Sequence, residues 1–271
     1  MLSVVFLLGL IGSIQGQEKL SQDTLDCVTI GFNVGTMFPS ASSSHITLPN
    51  GTQTQNGTMN SLYKSPWLDF GIDAMYKFKS NWVADVEASL FFGSDNLKDR
   101  AQRIPTLFTV DEIVIGDNGV DAGVTCFNRG LDLRIGGARI IKVLPKNPNS
   151  GILAKLSGGI MQQQTIFTAN NAEVPQLTGD YKRLYDHQRF GWTLTEGLGW
   201  WFMSNGQNLV NFKVTFEVTE CWSHSTRDYT IDNMMGLTGK DNNKYFDLIY
   251  TIKLCWMFPL TGKASYDYYY Y

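Results

Sequence analysis

Between Leu68 and Phe92 the chain alternates in hydrophobicity. Leu68, Phe70, Ile72, Ala74, Tyr76 and Phe78 occupy every second position, against Asp69, Gly71, Asp73, Met75 and Lys77. After Lys79-Ser80-Asn81 the alternation resumes, with Trp82, Ala84, Val86, Ala88, Leu90 and Phe92 against Val83, Asp85, Glu87 and Ser89. A period of two puts one set of side chains on each face, so the segment predicts a hairpin of two long strands. Each arm is about eleven residues, enough to cross a bilayer at a barrel's tilt and longer than an ordinary soluble strand.

Six further segments repeat the pattern. Val28, Ile30, Phe32 and Val34 alternate with Thr29, Gly31, Asn33 and Gly35. From Phe127 to Val143, Leu131, Leu133 and Ile135 oppose Asn128, Asp132 and Arg134; from Ile152 to Ile166, Ala154, Leu156 and Ile160 oppose Lys155, Ser157 and Gln163. Phe190 to Met203 sets Trp192, Leu194, Leu198, Trp200 and Phe202 against Gly191, Thr193, Thr195, Gly197 and Gly199. Val210, Phe212, Val214, Phe216 and Val218 alternate with Asn211, Lys213, Thr215 and Glu217. The last segment sets Phe246, Leu248, Tyr250, Ile252, Leu254, Trp256 and Phe258 against Asp247, Ile249, Thr251, Lys253 and Cys255. An even total of eight strands can close antiparallel, and an apolar outside with a charged inside is the pattern of a transmembrane barrel. The expected fold is therefore all-β, an eight-stranded antiparallel up-and-down transmembrane β-barrel.

The connections alternate in length. Lys79–Asn81, Pro145–Ser150 and Ser204–Gln207 are short and rich in turn residues. Residues 39–66, 93–125, 168–188 and 223–244 make four long connections. Exported barrels have short periplasmic turns and long extracellular loops. The N-terminus agrees: Leu2 to Ile11 is apolar and leads into Gly12, Ser13 and Gly16, which reads as a secretory leader cut near Gly16. The organisation expected is a signal peptide at 1–16, a periplasmic segment at 17–26, a barrel at 27–260 and a periplasmic tail at 261–271. A net charge of −3 with mixed signs gives no footprint for nucleic acid.

Tryptophan positions separate this reading from a soluble barrel with an apolar interior, such as a lipocalin-type binder. Trp67, Trp192 and Trp222 fall at the long-loop ends of strands; Trp82, Trp200, Trp201 and Trp256 fall at the short-turn ends. Two aromatic belts suit the two membrane–water boundaries, and all seven residues are read as an interface girdle. The opposite face then collects Asp69, Asp73, Lys77, Asp85, Glu87, Asp132, Arg134, Lys155, Lys213, Glu217, Asp247 and Lys253. An eight-strand barrel is only wide enough for side chains to fill, so these charges are expected to form a salt-bridged plug rather than a pore.

A few residues stand outside the pattern. Glu196 and Glu220 fall on the apolar face; a bulge near Gly197 or Gly199 would turn Glu196 inward, and a protein–protein contact is the other reading. Cys27 and Cys255 share the inward face of strands that closure makes neighbours, either as a bridge or as two buried thiols. The four Cys have no metal spacing, and no cofactor is expected. His224, Ser225 and Asp228, with Asp186 and His187 in the preceding loop, are the residue types of a lipid-modifying rim enzyme, but their spacing fits polar loop residues better. Asn50-Gly51-Thr52 and Asn56-Gly57-Thr58 match glycosylation sequons and read here as turns.

Three stretches carry a resemblance. They are Gln17 after a short leader, Thr226-Arg227-Asp228-Tyr229-Thr230-Ile231-Asp232-Asn233 before the last strand, and Ile252 to Leu260 followed by the Tyr266-to-Tyr271 tail. Together they resemble the small outer-membrane β-barrel proteins of the Bacteroidota, with OmpA/OmpX-like architecture. That resemblance implies a Gram-negative outer membrane, contact with its lipid and lipopolysaccharide, and a non-enzymatic role as anchor or accessory subunit for a protein partner. Some members serve type IX secretion and gliding assemblies. A rim enzyme acting on lipid A and a narrow gated channel are the alternatives. The tail residues Tyr266, Tyr268, Tyr269, Tyr270 and Tyr271 offer amphipathic contact area and are read as a candidate docking segment.

Overall fold

A computed structural model describes residues 26–42, 46–47, 53–54, 65–94, 107–143, 148–203, 211–228 and 244–260. The leader, both sequons and the Tyr-rich tail lie outside the described residues. Eight long strands make the fold: β1 (Cys27–Ser42), β2 (Trp67–Lys77), β3 (Trp82–Ser94), β4 (Val124–Lys142), β5 (Gly151–Ala169), β6 (His187–Phe202), β7 (Phe212–Ser225) and β8 (Lys244–Leu260). Each pairs antiparallel with its sequence neighbours, and β1 pairs with β8 to close the barrel. Two short strands, Ile46–Thr47 and Gln53–Thr54, pair with each other outside it.

Several strands run further than the alternation alone suggests. β1 continues past Phe38 to Ser42, with its register against β8 shifting between Pro39 and Ala41. Proline cannot donate to the ladder, so a shift at that point is the local cost of extending the strand. β6 starts at His187 and β7 ends at Ser225, so both project beyond their aromatic residues. At the other end, β2 and β3 are joined by a tight turn in which the Asn81 N–H donates to the Phe78 carbonyl at 2.9 Å. Asn81 sits at φ 61°, a conformation its short polar side chain tolerates.

Apolar residues are outside and charged ones inside. Phe32, Phe70, Ile72, Val86, Ile135, Phe216 and Ile252 are exposed, while Asp69, Lys77, Asp132, Arg134, Lys155 and Lys253 are at most 2% exposed. No water-soluble barrel gains from this distribution. Exposing an apolar band and burying charge is favourable only where the surroundings are hydrocarbon. The chain is a transmembrane barrel.

The girdle needs two corrections. Trp192, Trp222, Trp82 and Trp256 face outward, and Trp200 is half-exposed on the same face. Trp67 and Trp201 instead point into the barrel, 1% and 0% exposed. The reason is parity: Trp67 precedes the outward Leu68, and Trp201 follows the outward Trp200. Nor does a bulge turn Glu196 inward. The register runs unbroken through it, pairing Glu196 with Leu156 on one side and Val218 on the other.

The candidate functional site: a layered lumen and two rims

Inward-facing side chains stack in three layers. At the long-loop end, Met37, Phe91, Met161, Phe167 and Ile249 pack with Trp67 beneath loop residues Leu107, Phe108, Val114, Val174 and Leu177. Trp67 stacks on Phe91 with ring centroids 5.1 Å apart, and Phe108 meets Phe167 edge-on at 6.5 Å. At the short-turn end, Met75, Val83, Ile140, Leu153, Trp201 and Met257 form a second apolar layer. Between them lies the charge.

Arg134 on β4 is the hub of the middle layer. Its guanidinium donates to Glu87 at 3.0 Å, to Glu217 at 2.9 Å and to the Thr195 hydroxyl at 3.2 Å, and forms an ion pair with Asp132 at 2.8 Å. Lys155 reaches Glu87 at 2.7 Å and Asp85 at 3.1 Å. Lys253 pairs with Asp69 at 2.8 Å and with Glu87, and Lys213 pairs with Asp73. The Asn33 amide also donates to Asp73. Glycine makes room for these groups. A Cβ on Gly159 would come within 2.8 Å of the Arg134 Cγ and 2.0 Å of the Leu133 carbonyl oxygen.

Buried charge is tolerable only when paired and hydrogen-bonded, and most of this layer is. Carboxylates outnumber cations: Asp69, Asp73, Asp85, Glu87, Asp132 and Glu217 against Arg134, Lys155, Lys213 and Lys253. Oxygens of Asp69, Asp85 and Asp132 lack a hydrogen-bond donor among the described residues. Buried water is the ordinary partner for such atoms.

Two residues grouped with the network by sequence stand apart from it. Lys77 lies toward the short turns and donates to Asn149 at 2.9 Å. Asp247 lies nearer the loops, taking Arg189 at 3.2 Å and Gln163 at 3.0 Å. Arg189 precedes the apolar alternation that begins at Phe190, so that pattern does not mark it as a lumen group; its guanidinium also stacks over Tyr245 at 4.9 Å. All four cysteines are buried, and no disulfide joins any two of them. Cys255 is opposite Asn33 and Cys27 opposite Lys77, so the two thiols are well separated in register and no bridge joins them.

The long-loop rim carries a smaller polar chain. Arg129 donates to the Gln164 side-chain oxygen at 3.0 Å, Gln164 donates to Asp186 at 2.9 Å, and Arg227 reaches Asp186 at 3.5 Å. Burial pushes the Asp186 carboxyl above the usual carboxylate range, against the opposing pull of Arg227 and Gln164. His224 faces outward beside Phe190, whereas Ser225 faces the other side and its hydroxyl engages the backbone of Arg227. Neighbouring residues on a strand diverge, so this histidine and serine do not form a proton relay.

No family model and no curated protein matches the chain. Among solved structures it is similar to Ail, the attachment invasion locus protein of Yersinia pestis, at 10% identity over 86% of this chain and 97% of that one, with a TM-score of 0.36. OprG from Pseudomonas aeruginosa is 15% identical over 89% and 99% of the two chains, TM-score 0.37. Neisserial surface protein A is 9% identical over 83% and 95%, TM-score 0.29.

Proposed function

We propose that this protein is a non-enzymatic outer-membrane barrel that anchors or assists a protein partner. Glu196 carries the reading. It lies midway between Trp192 and Trp200 on the lipid-facing side of β6, half-exposed, flanked by Leu194 and Leu198 and opposite Leu156 and Val218. No hydrogen bond or ion pair among the described residues engages it. At mid-membrane a base costs about 2–4 kcal/mol and an acid less, but still an unfavourable amount. Polar groups inside membranes mark functional contacts, so a partner segment that offers Glu196 a donor is the natural occupant.

The filled lumen and the divergence of His224 from Ser225 support this role over a gated channel or a lipid-modifying rim enzyme. A leader ending near Gly16 would deliver the chain to the periplasm, with the long loops outside and the Tyr266-to-Tyr271 tail inside. The stretches at 226–233 and 252–260 that resemble Bacteroidota barrels suggest a secretion or gliding assembly as the partner's setting.

Purification from native membranes tests the role. Wild type should bring down a stable protein that Glu196→Leu loses, while the variant still folds as judged by its gel shift on heating. A lone wild-type barrel, or identical proteins in identical amounts, would sink the proposal. Deleting Ala264 to Tyr271 asks the same of the tail.

A further inference from the structure

We infer a binding site for the phosphate of a lipid headgroup on the outward face of β7 and β8, just above the aromatic belt. Trp192, Trp222 and Phe246 share one row of that face, since Trp222 pairs with both of the others in register. The Trp222 and Phe246 rings lie 5.7 Å apart. Such rings settle at the boundary between acyl chains and headgroups.

One row further toward the loops, Phe190, His224 and Lys244 are again opposite one another. Two residues along a strand is about 6–7 Å, which puts these groups at headgroup height. His224 and Lys244 line a cleft of about 330 Å³ together with Trp222, Ser223, Tyr245 and Phe246. Both are exposed, and no carboxylate among the described residues pairs with either. Two outward-facing arginines of β4 differ in being engaged. Arg129 is held by Gln164, and Arg139 donates to the Ser80 carbonyl at 2.6 Å while stacking over Trp82 at 5.1 Å.

The arrangement therefore offers an ammonium and a ring N–H above two apolar ring faces. An oxyanion with an acyl chain below it matches both parts, because charge-assisted donors take the phosphate and the rings take the chain. A free phosphate would use only the upper half. The occupant is therefore the lipid; this rests on the membrane-spanning fold and on the loops facing out, but not on any protein partner.

The full chain in detergent, challenged with lipid A bearing two, one or no phosphates and read by native mass spectrometry, tests this. Wild type should retain the phosphorylated forms, and His224→Ala with Lys244→Ala should retain them about tenfold less. Lys244→Glu alone should act in the same direction. The heat-dependent gel shift checks that each variant is folded. Equal retention by wild type and the double variant, equal retention of the phosphate-free lipid, or displacement by millimolar inorganic phosphate would each overturn the site. Protein co-purification is read separately. Its loss in Glu196→Leu with lipid retained supports both proposals, whereas a lone wild-type barrel that still binds the lipid fails only the partner role.

Discussion

Arg134 and Glu217, 83 residues apart in sequence, meet at 2.9 Å inside the barrel. They come from β4 and β7, strands separated by two others, so the guanidinium reaches across the lumen rather than along one wall. The same group also holds Glu87 and Asp132. With its hydrogen bond to Thr195 on β6, one cation ties four strands through the interior.

Removing it should be costly. Arg134→Met leaves Glu87, Asp132 and Glu217 short of a cation in a low-dielectric layer, where breaking a buried pair costs about 3–5 kcal/mol. Reversible urea unfolding from bilayers would measure it. Arg189→Met, near the mouth and paired with Asp247, should cost clearly less. Equal losses would mean that the central network is not the stabilising element.

Conductance follows from the layers. Apolar side chains close both ends of the lumen, and paired charges fill its middle, so planar bilayers containing the purified protein should show no large steady current. Reproducible open-pore currents at low voltage would contradict this.

The corrected tryptophans give a spectroscopic check. In single-Trp variants, brominated lipid should quench Trp192, Trp222, Trp82 and Trp256, all exposed on the outer face. Trp67 and Trp201 should escape quenching. If Trp67 is quenched as strongly as Trp222, its inward placement is wrong.

These two residues show where sequence reading stops. The eight strands were legible because a single period of two dictates both secondary structure and facing. Height along the strand alone puts all seven tryptophans at a boundary, whereas parity separates them: Trp67 and Leu68 cannot both meet lipid, nor can Trp201 and Trp200. The same neglect hid the apolar lumen layers. Met37, Phe91 and Phe167 occupy inward positions that a search for charges passes over. Parity also says which face a group shares, not which partner it meets. Glu87 with Lys253, or Arg189 with Asp247, depends on register and on the barrel's diameter, and neither is written locally.

The rim gives a pH dependence. Burial raises the Asp186 pKa, so the closed loop between β5 and β6 binds that proton more tightly than the open loop. Its contribution is therefore fully present below the open-state pKa, about 4, and is lost as pH rises through the closed-state value. Hydrogen exchange around residues 182–188 should be better protected, after correction for intrinsic rate, at the acid end of that window. Asp186→Asn should flatten the difference, and an unchanged pH profile in that variant would assign the effect elsewhere.

The apolar outer face of these eight strands spans a membrane as one closed barrel. The direct measurement is fractionation followed by gel electrophoresis with and without boiling. The barrel should be recovered in the outer-membrane fraction, need detergent for extraction, and migrate differently once heated, because a closed ladder with no free edge resists detergent until it melts. Recovery of folded protein in the soluble fraction, with the same mobility before and after boiling, would contradict the account.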